Sequence, residues 1–430
     1  MNRDLDANER LYWLFNQCSP NNVIAVAELD RELDPARLER ALARLQARHP
    51  FLQRRILPDA QGGHPRFVRR GTGALPLRVV EDRTLHVVLE EELNEHLDPS
   101  AGLARACYVR QAGRSCVVVT CLHVVADATA AMLALRDLLL AYASEAQDFS
   151  GPALEALPGI EQLFPRERRG ARALPSMVRG QLRALGDQLR NRPARLPPQA
   201  DIAVQQRLNR FIRHELPLDP IRAACAAQGV SVHALLMAAL ALAIARELRL
   251  RLKKHAPLSV GSPVSLRSEL GRELTDDLGS YVCTLDVHLD VGAAHDIWSI
   301  ARQAKQELER RRGRAEHVAM LNLVHWITPE SFADSARTLG MIEARGPGNS
   351  CVSNIGSFEL PRSVADAQVL SAHWTASLSI TGYMLCAVCS VHERLQLDFT
   401  YLEGVVSPER AARIVADVLA ELAMLKEKCA

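Results

Sequence analysis

The sequence predicts an α/β protein of two related halves, each a mixed β-sheet flanked by helices, joined by a basic segment. Three observations carry this. At 430 residues the chain is long for a single core, since about 150 residues is an ordinary domain. Strand-like, β-branched runs alternate with helical repeats in both parts of the chain, and several strands follow at hairpin spacing, which points to mixed sheets. Between the parts, residues 166–195 carry nine arginines against Glu167 and Asp187, a net +7 bracketed by Pro165, Pro175, Pro193, Pro197 and Pro198. Such a stretch marks a crossover. The expected units are residues 1–165, a basic linker at 166–200, and residues 201–430.

The elements follow in order. Asp34 suits a helix N-cap and Pro35 the first helical position. Leu38, Ala41, Leu42 and Leu45 then recur on one helical face until Pro50 stops the helix. The run SCVVVTCLHV at 115–124 reads as a buried strand, and 128–143 as a Leu-rich helix. In the second half, 210–219 is a strand-like lead-in and 219–228 a helix stopped by Gly229. A long buried helix follows at 231–250, then a strand in LSVGSPVSL. The uncharged run 229–245 is short and contains His233, so it reads as a core helix and no membrane span is expected. Strand-like runs at 348–358 and 376–401 precede an amphipathic helix at 408–426.

Composition narrows the function. Hydrophobic residues at 48% and charged residues at 24% fit a folded core and exclude disorder, collagen and coiled coil for the chain as a whole. A formal charge of +2 and an aromatic content of 4% argue against nucleic acid, since both the field and the stacking platform are lacking. That near-neutral sum hides an asymmetry: outside the +7 segment the chain sums to −5. The segment reads either as a solvated joint or as a landing surface for an acidic partner or phosphates.

The ten cysteines are scattered through mostly apolar runs, and the start, MNRDLDANERL, has no secretory pattern, so a reducing cytoplasm is the expected setting. Cys386 and Cys389 form a CxxC inside an apolar strand, where residues three apart face opposite ways, so no metal site is expected.

One constellation could carry chemistry. His123-Val124-Val125-Ala126-Asp127 is the only HxxxD in the chain, although chance supplies roughly 0.7 such spacings at this composition. Its setting is the informative part, with the histidine where a buried strand runs out and the aspartate where a helix begins. A short loop there can expose one imidazole, the side chain suited to take a proton at neutral pH, while the aspartate turns inward. A satisfied strand-end histidine has the same pattern.

The segments LDPARLERALARLQARHPFLQRR, LDPSAGLARACYVR and VVVTCLHVVADATAAMLALRDLL occur in that order. The second half adds LPLDPIRAACAAQGVSVHALLMAALALAI, SPVSLRSEL, DDLGSYVCTLDV and Ser353-Asn354-Ile355-Gly356. Together they resemble, over nearly the whole chain, the superfamily of condensation domains and chloramphenicol-acetyltransferase-like acyltransferases. That group includes nonribosomal-peptide condensation domains, wax-ester synthases and the polyketide-associated acyltransferases of mycobacteria. Its signature is HHxxxDG with the second histidine catalytic; here Leu122 stands for the first histidine and Ala128 for the glycine. Leu122 tilts the resemblance toward the free-standing acyltransferases, while Ala128 narrows backbone freedom at the helix start.

The resemblance implies two acetyltransferase-like lobes in a V with a central tunnel, and a catalytic His123. It implies that Asp127 is structural and paired with Arg267. Ser353 and Asn354 become tunnel residues, with Asn354 a donor to an oxyanion, although their segment reads equally as a turn. It also implies an acyl donor on a carrier protein's phosphopantetheine or on CoA, an alcohol or amine acceptor, and no permanently bound cofactor. Arg166, Arg168, Arg169, Arg172, Arg179 and Arg183 would then dock the donor's carrier. The expected protein is a monomeric, stand-alone, ester-forming acyltransferase of natural-product or lipid biosynthesis. Amide-forming condensation and a non-catalytic carrier-binding role are the alternatives.

Overall fold

The computed structural model describes residues 2–58, 64–69, 71–111, 113–144, 153–200, 202–345 and 349–427. Two six-stranded mixed sheets dominate. The first is ordered Ser363–Val364, Ala367–Ala376, Asn22–Leu29, Arg114–Leu122, Ala104–Gln111, Leu77–Val80. The second is ordered Val282–Asp290, Pro257–Ser265, Ser350–Ser357, Met384–Val391, Arg394–Glu403, Leu208–Pro217. A small sheet of Arg3–Asp4, Pro65–Val68 and Arg55–Pro58 buries Ile56 and Phe67 in the core of the first.

The local signals formed the expected elements. Asp34 caps the helix Pro35–Arg48 by accepting from the Ala36 N–H at 3.0 Å, and Leu38, Ala41, Leu42 and Leu45 are its buried stripe. The helix Val232–Glu247 is apolar all round and buried from Ala234 to Ala245, as a core helix should be. No single helix among the described residues is long and apolar enough to cross a membrane. Cys389 lies in the core of the first sheet and Cys386 in that of the second, as alternation along the strand Met384–Val391 requires. The nine described cysteines are all free.

Two features depart from the sequence reading. The chain does not divide cleanly at residue 201, because the strand Ala367–Ala376 crosses over and pairs antiparallel with Asn22–Leu29. An apolar first sheet ending at Asn22–Leu29 would otherwise expose a long unpaired edge. The crossover also ties the sheets together: Trp374 Nε1 donates to the Val388 carbonyl at 3.0 Å, and Thr375 and Thr400 share a 2.6 Å hydrogen bond.

The second departure is the joint, which holds an 18-residue helix, Leu174–Asn191. It packs through Met177 and Gly180, and a Cβ at Gly180 would come within 2.8 Å of the Ala319 side chain. Beyond it, Ala194 docks on the second sheet, donating to the Pro257 carbonyl at 2.8 Å and accepting from the Ser259 N–H at 2.9 Å.

Candidate active site

The strand Arg114–Leu122 is held by neighbours on both sides and ends one residue before His123. The His123 N–H donates to the Asn21 carbonyl at 2.9 Å, and the Val125 N–H to the Leu122 carbonyl at 2.9 Å, so the chain turns tightly there. The helix Ala128–Ala143 then begins on Asp127, whose Oδ1 accepts from the Ala130 N–H at 2.8 Å. Leu122 is fully buried in the first core. Ala128 is the first helical residue and is not among the residues at positive φ, so the turn needs no glycine there.

The loop before the strand Val282–Asp290 in the second sheet completes the site. Gly279 bridges Ala126, and its carbonyl accepts from the Asp127 N–H at 3.1 Å. The Tyr281 N–H donates to Asp127 Oδ2 at 3.0 Å. Gly279 is at φ +151, and a Cβ on it would lie 2.4 Å from the Tyr281 ring, so a side chain there would collide with the segment that holds Asp127.

Arg267 reaches the same carboxylate at longer range. Its Nη2 stands 3.5 Å from Asp127 Oδ1, at the limit of a hydrogen bond. Its Nη1 serves the Asp277 carbonyl at 3.1 Å and the Leu274 carbonyl at 3.4 Å, and the guanidinium lies over the Tyr281 ring at 4.8 Å. Backbone amides are therefore the close partners of Asp127, and Arg267 chiefly braces the loop that supplies one of them.

His123 is half-buried and flanked on one face by Tyr12, with ring centroids 4.2 Å apart and planes at 14°. Ser280 Oγ lies 3.4 Å from His123 Nδ1, and the Ser280 carbonyl accepts from Asn8 Nδ2 at 3.3 Å. Burial pushes the imidazole below its ordinary 6.5, outweighing the backbone of His123, the Asp127 carboxylate and the backbone of Ala126, which all pull upward. The arrangement is a held, neutral imidazole able to take a proton. Tyr12 and Ser280 escaped the sequence reading because no spacing marks them: one lies on the helix Ala7–Cys18 and the other is 157 residues from His123.

Ser353 and Asn354 lie within the strand Ser350–Ser357 instead of a turn after one. Cys351 and Ile355 pack against the first core while Val352 lies in the second. Alternation therefore puts Ser353 on the face toward the first core and Asn354 on the opposite face. Asn354 Oδ1 accepts from the Gly356 N–H at 2.8 Å, beside a break in register. Neither residue hydrogen-bonds to His123 among the described residues. Of the basic segment, Arg168 pairs with Glu269, and Arg169 donates to the Gln162 carbonyl at 2.8 Å, so both are engaged inside the chain. Arg166, Arg172, Arg179 and Arg183 are exposed.

Away from this site, His255, Asp290 and His295 bring three possible ligand atoms within 4.8 Å of one another. Hydrogen bonding accounts for them. Gln303 Oε1 accepts from the Asp290 N–H at 3.0 Å, which turns its amide nitrogen to His295 Nδ1 at 3.4 Å. His295 Nε2 stands 3.5 Å from Asp290 Oδ2, and His255 Nδ1 stands 2.9 Å from the same oxygen.

Residues 219–400 match the family described as the phthiocerol/phthiodiolone dimycocerosyl transferase C-terminus. Among solved structures, the chain is similar to trichothecene 15-O-acetyltransferase from Fusarium sporotrichioides, at TM-score 0.75 and 14% identity, over 99% of this chain and 95% of that one. It is also similar to the first condensation domain of the calcium-dependent antibiotic synthetase, at TM-score 0.71 and 18% identity, over 99% and 97%. Polyketide synthase associated protein 5 from Mycobacterium tuberculosis aligns at TM-score 0.68 and 16% identity, over 100% and 99%. A search of the curated proteins finds no match by sequence.

Proposed function

We propose that this chain belongs to the superfamily of condensation domains and chloramphenicol-acetyltransferase-like acyltransferases, whose fold it shares, and that it moves an acyl group from a thioester to a hydroxyl acceptor with His123 as general base. The observation that carries this reading is the half-buried imidazole stacked on Tyr12 at the junction of strand, helix and second-sheet loop, where burial favours its neutral form. In the proposed step His123 takes the acceptor's O–H proton as the oxygen bonds to the thioester carbonyl carbon. The carbon–sulfur bond then breaks, and the departing thiolate receives the same proton. Ester and thiol are the products, and no enzyme nucleophile is consumed.

The donor would be acyl-CoA or an acyl-phosphopantetheine on a carrier protein, meeting the acceptor in a tunnel between the two sheets. Enclosure would place the reactants in line and keep out water that would hydrolyse the thioester. Ser353, on the face toward the first core, is the better placed of the two predicted tunnel residues.

Intact mass spectrometry of products, from acyl-CoA and acyl-carrier donors offered with alcohols and amines, tests the reaction class. The expected result is acylated alcohol with free thiol released in equal amount. Amide alone would move the protein to the condensation class, and absence of product from every pair would refute transfer.

The pH profile tests the base. A folded-state value below 6.5 keeps His123 unprotonated as the solution is acidified through 6.5. The acid limb of kcat/KM is expected below pH 6.5. A limb above that value, unchanged in the Asp127→Asn variant, would contradict the assignment.

A further inference from the structure

We propose that the helix Leu174–Asn191 is a surface anchor that lies on an anionic lipid membrane. Five aliphatic side chains, Leu174, Val178, Leu182, Leu185 and Leu189, recur at spacings of three and four along it, so they form one stripe. Each is between 42% and 64% exposed, while the inward positions are Met177 and Gly180. The helix therefore folds with its leucine stripe turned to solvent, the reverse of an ordinary surface helix. At 1.5 Å per residue the stripe runs about 22 Å. Soluble surfaces seldom expose so long an apolar line without a partner for it.

The charge around the stripe identifies the partner. Arg166, Arg172, Arg179, Arg183, Arg190 and Arg192 are exposed and have no acidic partner among the described residues. Arg168, Arg169 and Arg195, by contrast, are engaged with Glu269, Gln162 and Asp286. The helix's own acidic residue, Asp187, is taken up by Arg310 at 3.1 Å. An apolar line flanked by free guanidinium groups fits a plane that is negative at its surface and apolar just beneath. A protein partner would need an apolar groove as long as the helix, edged with carboxylates. The lipid plane meets the same requirement along the whole stripe, and this inference is independent of the role of His123.

The test is co-sedimentation of the full chain with vesicles of phosphatidylcholine, alone or with about one-third phosphatidylglycerol, at low and high salt. Binding is expected to rise at least about tenfold with the anionic lipid and to fall steeply with salt. The pair Leu182→Glu and Leu185→Glu should abolish binding on both vesicles. The triple change Arg179→Gln, Arg183→Gln and Arg190→Gln should remove the preference for anionic lipid. All five side chains are exposed, so thermal stability serves as the folding control. Absence of vesicle binding, or binding unaffected by the leucine changes, overturns the proposal. So does salt-sensitive capture of an acidic carrier protein that these same changes abolish while vesicles are not bound.

Discussion

Replacing His123 by alanine is expected to lower kcat/KM for acyl transfer by about 10²–10⁴-fold, the usual weight of a positioned general base. The acceptor hydroxyl then has no neutral imidazole to receive its proton, and the leaving thiolate has none to give it back. Binding and alignment of the two substrates survive, so some catalysis over the uncatalysed reaction remains. His123 is half-buried and its ring meets Tyr12 and Ser280 at the edge of the core, so the variant should fold in normal yield. Initial rates with a matched thioester and alcohol decide the matter. Equal rates in the two proteins would end the catalytic reading and leave a binding role.

The Asp127→Ala change is expected to destabilise the protein by about 3 kcal/mol and to reduce activity with it. Losing a helix N-cap costs about 0.5–2 kcal/mol. Two backbone N–H groups, of Ala130 and Tyr281, would also lose their acceptor in a buried place, at about 1–3 kcal/mol for each group left unpaired. Overlap between these terms keeps the total below their sum.

The Asp127→Asn variant keeps one oxygen acceptor and should recover part of the stability. Arg267→Met should cost less than Asp127→Ala, because it leaves both amide bonds to Asp127 in place. Denaturation midpoints of the three variants check the order. A fully stable Asp127→Ala protein would show that the amide contacts do not hold the turn, and a costlier Arg267→Met would restore the ion pair as the main bond.

Much of the fold was legible because its signals are local. Asp34-Pro35, the leucine spacing at 38, 42 and 45, and the β-branched run before His123 each act within one element, and each formed where expected. The helix Leu174–Asn191 was hidden in a segment that charge and proline marked as a linker. Its apolar stripe has helical spacing, but that spacing normally reports a buried face, and here the small residues Gly180 and Ala184 turn inward beside Met177. The strand Ala367–Ala376 was hidden differently, since nothing in its own residues says which sheet has an edge to cover.

The same division runs through the candidate site. The sequence by itself determined that one imidazole stands where a buried strand ends and that Asp127 starts the next helix. These are consequences of β-branched and leucine periodicities only a few residues long. Tertiary structure alone decided what surrounds them: Tyr12 against the ring, Ser280 beside Nδ1, and a backbone amide closer to Asp127 than Arg267 is. Those contacts span up to 157 residues and depend on how the second-sheet loop crosses to the first sheet. Spacing within one element cannot encode such a crossing, because it is settled by packing two sheets against each other.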